Sequence, residues 1–280
     1  MTRSKINQNK SSLYLLLYWR NVSFRESTSG MSNNYKDHFS GHATDYQKFR
    51  PSYPDELFDY LASQAPQRKT AWDCATGNGQ AAVSLARRFN QVIATDASDK
   101  QIAKAVPTRN VRFQVSVAEN TTIPDQTIDL ITVAQALHWF NTQLFFEEAK
   151  RVLKPRGIIA VWSYKMLTIA AEVDAVVSHL YHDIVGSYWP EERKFVDNEY
   201  ADIVFPFTRL ASPVFTMSAQ WNRAALRGYL STWSAVQRYM KVHGVDPLTL
   251  IDEPLSEAWG DIDAIRQVTW RLRPKLGVND

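Results

Sequence analysis

The run Ala71-Trp72-Asp73-Cys74-Ala75-Thr76-Gly77-Asn78-Gly79-Gln80, followed by Val92-Ile93-Ala94-Thr95-Asp96, leaves this 280-residue chain few folds to choose from. It reads as a buried strand, a turn of small residues, a helix, and a second strand that closes on a carboxylate. That is the front half of an open α/β sheet built to hold a ligand at its strand ends. Gly77 and Gly79 let the backbone approach a ligand that any side chain would hold off. Asp96, at the tip of the second strand, is placed to accept from a pair of ribose hydroxyls.

Two ribose-bearing cofactors fit the glycines. The frame Gly77-x-Gly79-x-x-Ala82, with an acid further on, can be read as a dinucleotide fingerprint, which would make the protein an NAD(P)-dependent oxidoreductase. The other frame starts earlier, at Asp73-x-Ala75-x-Gly77-x-Gly79. Downstream, Val111-Arg112-Phe113-Gln114-Val115 predicts a third strand leading to Ser116-Val117-Ala118-Glu119-Asn120. Ile128-Asp129-Leu130-Ile131-Thr132-Val133-Ala134 is a continuous apolar run, as a parallel strand covered on both faces requires. It ends in Gln135-Ala136-Leu137-His138-Trp139-Phe140 and is followed by a helical stretch and Leu153-Lys154-Pro155-Arg156-Gly157. Taken in this order, the segments resemble the motifs of the class I S-adenosylmethionine-dependent methyltransferases. Ala75 stands where that family's first glycine sits, and Val117 where many relatives carry Asp. The segments His38-Phe39-Ser40 and Tyr46 to Pro54 are similar to the branch that contains trans-aconitate methyltransferases. So are Gln135 to Phe140, Thr232 to Gln237 and Val268 to Arg273.

The resemblance implies a Rossmann-like, doubly wound α/β fold with a seven-stranded mixed sheet, mostly parallel with the last strand antiparallel. It also implies a helical cap over residues 35–65, a cofactor-binding core over 70–164, a substrate lid inserted after strand five over 165–207, and C-terminal strands and helices over 208–280. Within the last region Ser212 to Ser218 and Gln267 to Arg273 are expected as the final two strands of the sheet, with a helical segment from Asn222 to Met240 between them. S-adenosyl-L-methionine would be held by Asp73 and the backbone of Ala75, Gly77, Gly79 and Gln80. Asp96 and Ala97 would meet its ribose, Ala118 and Glu119 its adenine, and Tyr46, Gln135 and Trp139 would close over it. His138, Arg50 and Tyr53 are the candidate catalytic residues, His138 as a base or as an orienting group and Arg50 as a carboxylate partner. The expected acceptor is a small molecule, with a carboxylate favoured. Such a group is already ionised near neutral pH and needs no strong base. A cofactor-binding module without turnover is the remaining alternative.

Composition narrows the partners. The formal charge of +3 is concentrated in residues 1–30, which carry +4 and leave −1 for the rest. A body this close to neutral offers no global footprint for nucleic acid. The single Cys74 cannot form an intrachain disulfide and suits a reducing, cytoplasmic compartment. The apolar stretch Leu13 to Trp19 is too short to span a bilayer, so no membrane association is expected. Residues 1–30 are expected to be a non-essential, disordered extension, with a single domain over 31–280 starting at Met31. His179, His182 and Asp183 share a helical spacing, but no further ligands complete a metal sphere, and no metal is expected.

Overall fold

Five segments become parallel strands: β1 (Thr70–Cys74), β2 (Gln91–Asp96), β3 (Val111–Val115), β4 (Ile128–Ala134) and β5 (Leu153–Trp162). The structure, a computed structural model, describes residues 51–280, which fall in one unit running from Asp37 to Asp280. The expected extension, the start of the cap, Tyr46 and Arg50 lie outside the described residues.

β4 is buried at every position but its last, and β1 at every position but its first. Both run through the middle of the sheet, whose order is β3-β2-β1-β4-β5-β9-β6. β2 and β3 lie on one side of β1, β4 and β5 on the other. The strand order therefore reverses between β1 and β4, and a crevice opens at their carboxyl ends. β9 (Lys275–Val278) runs antiparallel to β5, and β6 (Thr208–Leu210) pairs antiparallel with β9. The result is the Rossmann-like, seven-stranded mixed sheet that the sequence implied.

The final strands differ from expectation. β7 (Phe215–Trp221) and β8 (Arg266–Leu272) do not extend the main sheet but pair with each other in a separate antiparallel ribbon. Their composition explains this. Met217, Val268, Trp270 and Leu272 are buried, whereas Thr216, Ser218, Gln220 and Gln267 are exposed. Such alternation suits a ribbon laid with one face on a core, not a strand covered on both sides. The place beside β5 goes instead to the short apolar Leu276-Gly277-Val278.

Side chains alternate along the central strands into two cores. Leu130, Ile158, Ala160 and Trp162 face one layer, with Leu57, Phe58 and Leu61 of α1 (Asp55–Gln64) and Ala81, Ala82 and Leu85 of α2 (Gln80–Ala86). Ile131, Val133, Ile159 and Val161 face the other, with Phe145, Phe146, Ala149 and Val152 of α4 (Thr142–Val152). The short α3 (Asp99–Ile102) follows β2. Each fully buried leucine, isoleucine, valine or phenylalanine among them is worth about 1.5–3 kcal/mol relative to exposure.

After β5 the chain forms α5 (Ala171–His179), a wide turn over Leu180–Ile184, and α6 (Arg193–Asp197). The helical segment expected from Asn222 is two helices, α7 (Arg223–Ser231) and α8 (Ser234–His243), broken at Thr232 and Trp233. The Asn222 side chain caps α7 by accepting from the Ala225 N–H at 2.9 Å. α9 (Asp252–Trp259) precedes the ribbon's second strand. No helix among the described residues is long and apolar enough to cross a membrane.

Candidate active site

The loop after β1 is built on a buried carboxylate. Asp73 is almost fully covered and accepts from the hydroxyls of Thr76 at 2.5 Å and Thr132 at 2.6 Å. Those two bonds join the loop to β4 across the crevice. Burial raises the Asp73 pKa to about 6, against the opposing pull of the two hydroxyl donors. Beyond Asp73 the backbone turns left-handed at Ala75 (φ 53°), Gly77 (φ 58°) and Gly79 (φ 91°). Ala75 thus holds a conformation that favours glycine, as its place in the motif implies. A Cβ at Gly77 would meet nothing within 4 Å, whereas one at Gly79 would lie 2.8 Å from the Phe113 ring. The loop is therefore open at Gly77 and closed against β3 at Gly79.

Asp96 ends β2 beside this loop. Its carboxylate accepts from the Gly77 N–H at 2.9 Å and the Ser98 N–H at 2.9 Å. Ala97 is half-buried between Asp96 and Ser98. Gln80 opens α2, but its side chain donates to the Pro51 carbonyl at 2.9 Å and so ties the loop to the segment before α1. Ala118 is buried. The Glu119 carboxylate accepts from the Asn141 N–H at 2.9 Å, at the start of α4, while Val117 is exposed.

Across the crevice, Gln135 leaves β4 with φ 58°, and its N–H donates to the Trp162 carbonyl at 2.9 Å. A non-glycine residue held there is strained, a feature that clusters at functional sites. His138 and Trp139 follow with ring centroids 4.6 Å apart. Together with Gln135 they line a slot of about 70 Å³ whose other walls include Tyr164, Trp189, Arg193, Tyr229 and Trp233. Tyr53 packs its ring edge-on to Trp162, at 5.5 Å, behind the end of β5. The Arg193 Nε donates to Tyr181 Oη at 2.7 Å and to Asp197 Oδ1 at 3.1 Å. Its guanidinium lies 4.6 Å from the Trp189 ring centroid, a cation–π arrangement that fixes the plane. Burial first, and the Arg193 charge second, push the His138 pKa down to about 3, so the ring is neutral at physiological pH.

The strand ends therefore bring Asp73, Ala75, Gly77, Gly79, Asp96 and Ala97 together on one side of the crevice, and Gln135, His138 and Trp139 on the other. Gln80 and Glu119 face these groups but have their side chains engaged elsewhere. The sequence did not single out Arg193 as a site residue, although its setting in Tyr188-Trp189-Pro190-Glu191-Glu192-Arg193 was visible. Tyr229 and Trp233 belong to the main core and also line the slot.

Asp73 and His138 place opposite slopes on stability. Asp73 holds its proton more tightly folded than unfolded, so its stabilising contribution falls as pH rises from 3.8 to about 6. His138 holds its proton more weakly when folded, so its contribution grows as pH rises from about 3 to 6.5. Relative to the unaltered chain, His138→Asn should gain stability as pH falls through the second window. Asp73→Asn should gain as pH rises through the first. Urea denaturation at stepped pH measures both differences, and parallel curves for variant and parent would refute the assignment.

A strand order reversed between β1 and β4, a glycine-bearing loop at that reversal and an acid closing β2 define a Rossmann-like ligand-binding enzyme core. The methyltransferase domain family matches residues 72–161, from β1 to the end of β5. A protein of Dictyostelium discoideum named as a methyltransferase is 37% identical over 233 residues, covering 82% of this chain and 89% of its own length. A solved type II methyltransferase structure from Anaeromyxobacter dehalogenans is 39% identical, covers 82% of this chain and 98% of its own, and superposes with a TM-score of 0.79. A Saccharomyces cerevisiae protein named as an S-adenosylmethionine-dependent methyltransferase is 28% identical over 146 residues, covering 49% of this chain and 48% of its own length. The chain belongs to the class I S-adenosylmethionine-dependent methyltransferases, and the nicotinamide reading of its glycines falls away.

Proposed function

We propose that this enzyme transfers a methyl group to a carboxylate oxygen of a small-molecule acid, held in the slot between the end of β4 and Arg193. The observation that carries this reading is the Arg193 guanidinium, fixed through Nε and by Trp189. Its two terminal nitrogens have no hydrogen-bond partner among the described residues. A planar fork with unspent donors matches a carboxylate in bidentate geometry.

S-adenosylmethionine, when bound, supplies an electrophilic methyl on a sulfonium. The loop Ala75 to Gly79 fits such a cofactor because its backbone is open at Gly77, and Asp96 lies within reach of the same loop. In this reading Asp96 accepts from the ribose hydroxyls, and the backbone of Ala75, Gly77 and Gly79 meets the aminoacyl end. Arg193 orients the acid so that one oxygen points at the crevice, and Trp139, Trp189 and Trp233 exclude water from it. Neutral His138 cannot deprotonate a hydroxyl efficiently with a pKa of about 3, and a carboxylate nucleophile does not ask it to.

Calorimetric titration with S-adenosylhomocysteine, beside NAD and NADP, tests the cofactor. A panel of carboxylic acids assayed for methyl esters tests the acceptor. For an acid that is turned over, Arg193→Ala should raise KM about 10- to 100-fold, the loss of a charged hydrogen-bonded pair of about 1.5–3 kcal/mol. Cofactor affinity should stay unchanged. Equal KM values for the variant and its parent would remove Arg193 from the acceptor site.

A further inference from the structure

We propose that Tyr200 is a positioning residue that locks His138 in the tautomer protonated at Nε2, so that this ring serves the acceptor as a hydrogen-bond donor and not as a base. The inference rests on the acceptor site described under the proposed function. Its first observation is the 3.1 Å contact between Tyr200 Oη and His138 Nδ1. The Ser163 hydroxyl is the other side chain that bears on the phenol, and Tyr200 is only 1% exposed.

Proton count settles the direction. A phenol has one O–H, and a buried donor left without an acceptor costs about 1–3 kcal/mol. The Leu137 backbone N–H and the Ser163 hydroxyl both bear on the phenol oxygen from the donor side, which leaves the O–H for His138. Burial also raises the Tyr200 pKa, so the phenol keeps its proton throughout the physiological range. If His138 carried its proton on Nδ1, the phenol oxygen would accept from it and turn its O–H to the Ser163 hydroxyl, and the buried Ser163 proton would then have no partner. The ring therefore accepts at Nδ1 and bears its proton at Nε2. That nitrogen has no hydrogen-bond partner among the described residues, and it is not one of the buried unpartnered atoms. It is left for whatever fills the cavities that His138 lines.

The phenol is held firmly. Tyr200 sits at φ 61° and the preceding Glu199 at φ 56°, both left-handed conformations that bulky residues avoid. The Tyr200 N–H donates to the Phe195 carbonyl at 2.7 Å, and Lys275 Nζ donates to the Tyr200 carbonyl. Strain of this kind persists only where surrounding contacts over-determine it. Around the imidazole, Arg193 faces it from α6, Tyr200 from the turn after α6, and Trp139 from its own segment. A cation and an N–H donor then converge on one slot, a pairing that favours an anionic acceptor and disfavours a base.

The test reads the tautomer directly, without substrate, by long-range proton–nitrogen correlation on protein labelled at histidine. The parent should show His138 neutral with its proton on Nε2 between pH 5 and 8, and Tyr200→Phe should release the ring to a mixture of tautomers. Retained S-adenosylhomocysteine binding confirms that the variant is folded. With an acid that is turned over, Tyr200→Phe and His138→Asn should each lower kcat/KM about tenfold, and the parent's kcat/KM should stay flat from pH 5.5 to 8. The Asn substitution keeps an acceptor for Tyr200 and withdraws the donor at Nε2, because its shorter amide does not reach that position. A parent ring protonated at Nδ1, or a tautomer unmoved by Tyr200→Phe, overturns the proposal. So does an activity limb near pH 6.5 that vanishes in His138→Asn. A correct tautomer together with no turnover of any acid would instead overturn the carboxylate reading and leave the Tyr200–His138 lock standing.

Discussion

Asp96→Ala should weaken S-adenosylhomocysteine binding about a hundredfold or more. Two ribose hydroxyls donating to one carboxylate are worth about 3 kcal/mol together, and every 1.4 kcal/mol is tenfold. The substitution also releases the Gly77 and Ser98 N–H groups, which now donate to the two oxygens of Asp96. The loop after β1 would lose the tie from Gly77 to β2 and keep the Thr76 N–H bond to the Thr95 carbonyl, so the affinity loss carries a preorganisation share as well as a contact share. Asp96→Asn separates the two. It keeps one acceptor oxygen and removes the charge, and should fall between parent and alanine variant. Isothermal calorimetry gives all three affinities, and an alanine variant binding within threefold of the parent would take Asp96 out of the cofactor site.

Gly79→Ala should be strongly destabilising. At φ 91° an L-residue is strained by about 1–2 kcal/mol, and its Cβ would sit 2.8 Å from the Phe113 ring. Overpacking of a rigid neighbour adds about 1–3 kcal/mol. Gly77→Ala is the control: φ is 58° and nothing lies within 4 Å of the added carbon. Since Ala75 already holds φ 53°, an alanine at Gly77 should cost only about 1 kcal/mol. Urea midpoints should therefore rank parent, Gly77→Ala, Gly79→Ala in falling order. Adding Phe113→Leu to Gly79→Ala should recover the packing part and leave the backbone strain. A reversed ranking of the two glycines would contradict the loop geometry.

The central strands could be read from sequence because burial on both faces writes itself as an unbroken apolar run. Ile128 to Ala134 is β4 to the residue; Val111 to Val115 is β3, but that is an edge strand with no fully buried position. Ribbon strands β7 and β8 were legible as strands but not as a separate pair, since alternation tells which face is covered and not by what. Glu119 shows a second limit. Its carboxylate serves the Asn141 N–H, a partner fixed only once the segment after β3 meets the start of α4. Arg193 and Tyr200 mark a third. Arg193 was visible among aromatic neighbours, but its guanidinium becomes a slot wall only when α6 folds against the end of β4. Tyr200 carried no sequence signal, because a left-handed φ at a tyrosine cannot be inferred from its neighbours.

The place of β9 between β5 and β6 has a consequence for how the chain is made. β6 ends at Leu210, and the strand it needs begins at Lys275. At about 5–20 residues per second, β6 waits roughly 3–13 s on the ribosome for its only neighbour in the sheet. Throughout that interval the outer edge of β5, from Ile158 to Val161, has no strand beside it. An apolar edge of that kind is a template for any extended segment nearby. The nascent enzyme is therefore most exposed to mispairing late in synthesis, after its cofactor loop and central strands have emerged.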